Sequence, residues 1–109
     1  MATGRVATTQ LTSGAIGTYT TVYTVPTGYY GVYNISITNT AAAPVTIRLA
    51  LGATTSPGTS EFIEYGTTII ANGVFERTSI VAQAGLNILV STTGTAVNVN
   101  VYGIETSTS

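Results

Sequence analysis

Tyr33-Asn34-Ile35-Ser36-Ile37-Thr38-Asn39 and Val45-Thr46-Ile47-Arg48-Leu49-Ala50-Leu51 carry an apolar side chain at nearly every odd position, mostly with polar ones between. Successive side chains on a strand point to opposite faces, so this period of two predicts strands with one buried face. Tyr33, Ile35 and Ile37 are expected to line the same core as Val45, Ile47, Leu49 and Leu51. Upstream, Tyr19 to Val25 ends in Pro26-Thr27-Gly28. Proline presets the backbone for a turn and glycine accepts a positive φ, so the chain should reverse there. Read together, residues 19 to 51 predict a β-meander built on one buried face.

Working outward, residues 1 to 17 contain Gly4, Gly14 and Gly17 and a short strand around Arg5 to Leu11, read as an N-terminal arm or edge strand. Gly52 to Ser60 is dense in Gly, Thr, Ser and Pro and reads as an exposed loop. Glu61 to Tyr65 predicts a short strand that Thr67 to Ala71 either extends or carries across to a second sheet. Asn72-Gly73 is the strongest hairpin signal, since both residues tolerate left-handed geometry, and Val74 to Ala82 is the expected return. Leu86, Ile88 and Val90 alternate with Asn87, Leu89 and Ser91, Thr92-Thr93-Gly94 turns the chain, and Val97, Val99 and Val101 alternate with Asn98, Asn100 and Tyr102. That pattern predicts another hairpin.

Seven to eight short strands with frequent turn signals, and no helical period, predict an all-β fold: a two-sheet antiparallel β-sandwich, jelly-roll-like. The 109 residues make one domain, 1–109. Its core should contain Ile35, Ile37, Ile47, Leu49, Ile88, Val90, Val99 and Val101. One strand resists the pattern. In Val74-Phe75-Glu76-Arg77-Thr78-Ser79-Ile80, burying Phe75 sends Arg77 inward, while burying Val74 and Ile80 sends Glu76 inward. A β-bulge resolves the conflict by shifting one residue out of alternation; otherwise the strand lies at a sheet edge or a subunit contact.

Charge is the unusual feature of the composition: 6% of residues are charged, against about 25% in an average domain. Lysine, aspartate, histidine and cysteine are absent, and the net charge is −1. Near-zero charge favours association, and a surface of threonine, serine and asparagine loses little side-chain entropy when covered. The residues that remain offer no common nucleophile–base pair and no usual transition-metal constellation, so no catalytic, cofactor or metal site is expected. Two of the glutamates Glu61, Glu64, Glu76 and Glu105 would suffice for acid–base work on a glycoside, but Glu61 and Glu64 fall on opposite faces of a regular strand. Arg5, Arg48 and Arg77 are too dispersed to hold nucleic acid. The apolar runs are too short to cross a membrane, and the N-terminal residues lack the core of a signal peptide. Asn34-Ile35-Ser36 matches the glycosylation pattern but lies inside a predicted strand.

Recognition potential rests with the tyrosines, because a ring brings a large apolar face, a polar tip and few rotamers. Tyr29 and Tyr30 directly follow the Pro26-Thr27-Gly28 turn. Together with Glu64, Tyr65, Glu76 and Arg77 they are the expected interface residues. Glu76 and Arg77 face opposite ways on a regular strand, so each should seek a partner across a strand or subunit boundary, with Arg48 and Glu64 available.

These residues also carry a family resemblance. Val22-Tyr23-Thr24-Val25-Pro26-Thr27-Gly28 and the alternating strand ending at Asn39 resemble small all-β virion proteins of tailed bacteriophages, capsid decoration (cement) proteins above all. So do Ile63-Glu64-Tyr65, Asn72-Gly73-Val74-Phe75-Glu76-Arg77-Thr78, Ala84-Gly85 and Val101-Tyr102-Gly103-Ile104-Glu105. The resemblance spans about residues 20 to 105 and departs from the pattern at Leu86, where an acidic or polar residue commonly follows the Ala-Gly turn. It implies a non-enzymatic homotrimer, made in the host cytoplasm, that binds the major capsid protein or other virion proteins at the capsid surface. Because the Tyr-Thr-Val-Pro-x-Gly hairpin also occurs in tail and fibre components, a carbohydrate- or receptor-binding tail module is the alternative.

Overall fold

A computed structural model describes residues 3–11, 16–94 and 96–107. Eight strands follow one another: β1 (Thr3–Leu11), β2 (Thr20–Thr24), β3 (Tyr29–Asn39), β4 (Val45–Gly52), β5 (Phe62–Ile69), β6 (Val74–Gln83), β7 (Asn87–Thr92) and β8 (Val97–Ser107). They form two four-stranded sheets, sheet I in the order β1-β8-β3-β6 and sheet II in the order β2-β7-β4-β5. All pairings are antiparallel. β1 pairs with β8, β2 with β7, β3 with β6 and β4 with β5, as if one long hairpin with its tip in the 53–61 loop had been rolled up. This is the double Greek key of a jelly roll. Of the N-terminal arm, residues 1, 2 and 12–15 lie outside the described residues; Thr3–Leu11 supplies β1, an edge strand.

All eight expected core residues are buried, as are Tyr33, Val45 and Val97. Their burial comes from a different arrangement than a meander. β3 belongs to sheet I, whereas β2 and β4 belong to sheet II, so the apolar faces of β3 and β4 meet across the core rather than side by side. The chain changes sheet at every connection except β4 to β5. The turns at Asn72-Gly73 and Thr92-Thr93-Gly94 therefore do not close hairpins, although Asn72 does adopt a positive φ of 58°. Buried Asn39 helps hold the first of these crossings. Its Nδ2 donates to the carbonyls of Ala43 (2.8 Å) and Ile70 (3.1 Å), its Oδ1 accepts from Ala41 N (3.0 Å), and its own N donates to Gly73 O (2.9 Å). A turn bonded into a neighbouring loop directs the chain to the opposite sheet.

The irregular strand β6 is both bulged and at an edge of sheet I. Arg77 lies opposite Ile35 and Ile80 opposite Tyr33, so β6 spends three steps where β3 spends two. Ser79 sits in the extra step at φ 60°, and its N donates to Asn34 Oδ1 at 3.0 Å. The bulge switches the inward set from Phe75 and Arg77 to Ile80 and Ala82. Two local expectations are corrected. Glu61 belongs to a 3-10 turn, Thr59–Glu61, where its Oε1 accepts from Gly58 N at 2.7 Å; β5 begins only at Phe62. And β7 is buried on both faces, Asn87, Leu89 and Ser91 included; Asn87 Oδ1 accepts from Thr24 Oγ1 at 2.6 Å and its Nδ2 donates to Thr54 O at 3.3 Å, so a neighbouring strand and the 53–58 loop cover that end.

Candidate interaction site

On the outer face of sheet II, Arg48 and Tyr65 are paired across β4 and β5. Two register shifts in β5, one at Gly66 with φ +88°, bring Tyr65 and Phe62 onto this same face, opposite Arg48 and Ala50. The Arg48 guanidinium carbon lies 4.1 Å from the Tyr65 ring centroid, and its Nη1 donates to Tyr19 Oη at 3.4 Å. Phe62 bridges the rings, edge-on to Tyr65 at 4.8 Å and tilted to Tyr19 at 5.8 Å. Cation–π and edge-to-face contacts of this kind fix ring orientation. Tyr65 is thereby held in place while remaining 64% exposed.

Glu64 and Arg77 close the open side of the sandwich. Glu64 lies opposite buried Leu49 and Arg77 opposite buried Ile35, so both are inward-facing positions on edge strands of different sheets. Arg77 Nη1 donates to Glu64 Oε2 at 2.8 Å, and Thr67 Oγ1 donates to Glu64 Oε1 at 2.7 Å. Inward charges on edge strands discourage sheet extension by a foreign strand. With Arg77 half exposed, the pair itself adds only about 0 to 1 kcal/mol.

The outer face of sheet I divides into two halves. Tyr30, Val32, Val81, Tyr102 and Ile104 form an exposed apolar half, with Val81 66% and Ile104 63% exposed. Ser36, Thr38, Asn98 and Asn100 form a mainly polar half, bordered on β6 by Glu76 and by Val74, which is 57% exposed. Gly4, Val32, Asn34, Tyr102, Gly103 and Ile104 line a shallow depression of about 370 Å³ within the first. Arg5, opposite Tyr102 on β1, and Glu76, opposite Ser36 on β6, stand at the two edges of this face.

Between the sheets lies a polar cluster. Glu105 on β8 is 1% exposed, and its Oε2 accepts from Tyr33 Oη at 2.7 Å and from Tyr23 Oη. Tyr23 comes from sheet II and the other two from sheet I, so the carboxylate ties the sheets together. The Tyr33 ring lies over two glycines: a Cβ at Gly31 would come within 2.5 Å of Tyr33 Cζ, and one at Gly103 would also collide with the ring. Burial first, then the hydrogen bond to Glu105 and its charge, push the Tyr23 phenol up to about 12. Tyr33 is raised in the same direction by the same causes. Tyr33 and Glu105 are sealed in the core, half-buried Tyr23 stands at its margin, and the cluster works as a support.

The six expected interface residues are thus not gathered into one site. Glu64 and Arg77 meet at the β5/β6 edge, and Tyr65 lies on the outer face beside them. Tyr30 and Glu76 lie on the outer face of sheet I, and Tyr29 is half-buried, its N donating to Pro26 O at 3.2 Å. Arg77 has the expected partner in Glu64. Arg48 engages the tyrosines instead of Glu76, from which it is separated by the whole sandwich. Sequence reasoning passed over Val32, Val81, Ile104 and the role of Glu105. Alternation could have found three of them: Val32 and Ile104 are out of phase with buried Tyr33 and Val101, and Glu105 is in phase with Val101. Val81 required the bulge. No family model matches the chain, and comparisons with curated proteins and with solved structures find no match either.

Proposed function

We propose that this protein is a non-enzymatic virion structural protein, a capsid decoration protein that reinforces an assembled shell through many simultaneous weak contacts. The observation that carries the reading is how the few charges are used. Arg77 with Glu64, Arg48 with tyrosine rings, Glu61 with its own turn and Glu105 within the core are all engaged internally. Apart from Arg5 and Glu76 at the two edges of sheet I, the outer surface is left to exposed aromatic, aliphatic, amide and hydroxyl side chains. Such a surface adheres by apolar contact and hydrogen bonding, and multivalency turns weak contacts into retention without a strong single site. A rigid jelly roll tied by a buried carboxylate suits a part that must transmit load rather than move. The shell-facing surface is assigned to the outer face of sheet II beside the β5 edge, where Tyr65 is a pre-oriented aromatic anchor.

The test is rebinding to purified capsids stripped of their decoration. Retention should change little between low and moderately high salt, since screening affects exposed charges and not apolar burial. Tyr65→Ala should reduce it while the protein stays folded, with Tm falling only by what the lost ring contacts to Arg48 and Phe62 contribute. Release by salt would require a charged partner surface. Release by soluble host polysaccharide, lost in Tyr30→Ala, would move the protein to a receptor-binding role on the tail or fibre.

A further inference from the structure

We infer that the outer face of sheet I is a self-association surface on which a second copy of this chain packs about a twofold axis, with Arg5 of each copy meeting Glu76 of the other. Among the described residues, Arg5 and Glu76 are the two charged side chains with no ion pair, hydrogen bond or ring contact. They are opposite in sign, both exposed, and both on this face, at its two opposite edge strands. A twofold axis running between β8 and β3, parallel to the strands, places β1 of one copy over β6 of the other. Arg5 is level with Asn34 and Glu76 with Ser36 along β3. That offset of two residues is about 7 Å, within reach of an extended arginine.

The same operation superposes the apolar parts. Ile104 lies opposite Val32 in the ladder, so β8 over β3 sets Ile104 of each copy on Val32 of the other and covers the shallow depression beside them. The polar half, Ser36, Thr38, Asn98 and Asn100, meets its own copy, with Glu76 at its edge facing Arg5 of the other copy and no like charges opposed. Four strands about 4.8 Å apart and nine residues of β3 describe a face of about 19 by 27 Å, or roughly 500 Å². A pair then buries roughly 1,000 Å², the lower bound for a specific interface, which predicts a reversible dimer of modest affinity. Reciprocity is what selects a second copy over another partner: one surface satisfies both free charges and both apolar strips only against itself. A trimer, as the sequence resemblance implies, would need a heterologous contact between two different surfaces. The shell-docking surface assigned above lies on the other sheet, so the two readings stand or fall separately.

The experiment is sedimentation equilibrium of the free protein over a concentration series reaching the high micromolar range, with charge-reversal variants. The wild-type chain should fit a monomer–dimer equilibrium. Arg5→Glu and Glu76→Arg each oppose two like-charge pairs per dimer and should weaken association about tenfold; both positions are exposed, so Tm should hold. The two single variants mixed together, or the double variant Arg5→Glu/Glu76→Arg, should restore association to within about threefold of the original. Ile104→Asn should weaken it without rescue. A monomer throughout, a trimer, or charge reversals that are silent or not rescued on mixing would overturn the inference.

Discussion

Replacing Tyr33 with phenylalanine tests whether the buried carboxylate holds the two sheets together. The substitution removes one oxygen and leaves the ring in its seat over Gly31 and Gly103, so no cavity opens. What is lost is the 2.7 Å bond to Glu105, between two side chains that are 0% and 1% exposed. A hydrogen bond to a charged group in such surroundings contributes about 1.5 to 3 kcal/mol. Tyr23 cannot replace it, because its own hydroxyl already donates to the same oxygen. For a domain of this size the loss should lower Tm by at least about 6 °C. Tyr23→Phe should cost less, since Tyr23 is only half-buried and water can reach its place. The double variant should cost more than the sum, because the second removal strips the remaining phenol donor from Oε2, and coupling of about 0.5 to 3 kcal/mol is usual for residues in one network. Chemical denaturation of the four proteins, with m-values compared, measures this cycle. A Tyr33→Phe midpoint indistinguishable from the wild type, or strictly additive losses, would refute the claim that the phenols hold the carboxylate.

Two further outcomes follow from the same region. Gly31→Ala places a methyl group against a phenol that cannot move without breaking its bond to Glu105, so thermal unfolding should show a loss of about 1 to 3 kcal/mol; an unchanged Tm would mean that the ring is free to shift. Stability should also fall in alkali. The folded-state phenol of Tyr23 is raised from 10.0 to about 12, so its contribution is complete below pH 10 and declines as the pH rises toward 12, where the unfolded chain releases its proton first. A pH series of unfolding midpoints should slope downward above pH 10 and less steeply in Tyr23→Phe; a flat profile would contradict the buried environment.

Much of the fold was legible in particular residues. Ile35, Ile37, Ile47 and Leu49 announced their own burial through a period of two, and the conflict of phase between Phe75 and Ile80 pointed to a bulge or an edge position, of which β6 has both. The candidate interaction residues were less legible because their neighbours come from elsewhere in the chain. Arg48 stands over Tyr65 only because β5 shifts register at Gly66, and Phe62 joins them through a second shift at Ile63. Arg77 reaches Glu64 only because both lie inward on edge strands of opposing sheets.

The sequence by itself determined most strand positions, the apolar face of the regularly alternating strands, where the chain turns and how little charge is available, since each of these depends on side chains a few positions apart. It did not determine which strands pair. Asn72-Gly73 makes a turn whether the next strand lies beside the last or across the core from it, and the backbone angles of that turn are a local matter. The choice between them was made by long-range bonds, such as those of Asn39 to the 40–44 and 69–73 segments, and by burial of two apolar faces against each other. Only the rolled-up arrangement set Glu105 between Tyr23 and Tyr33, and only it put Arg5 and Glu76 on opposite edges of one exposed face.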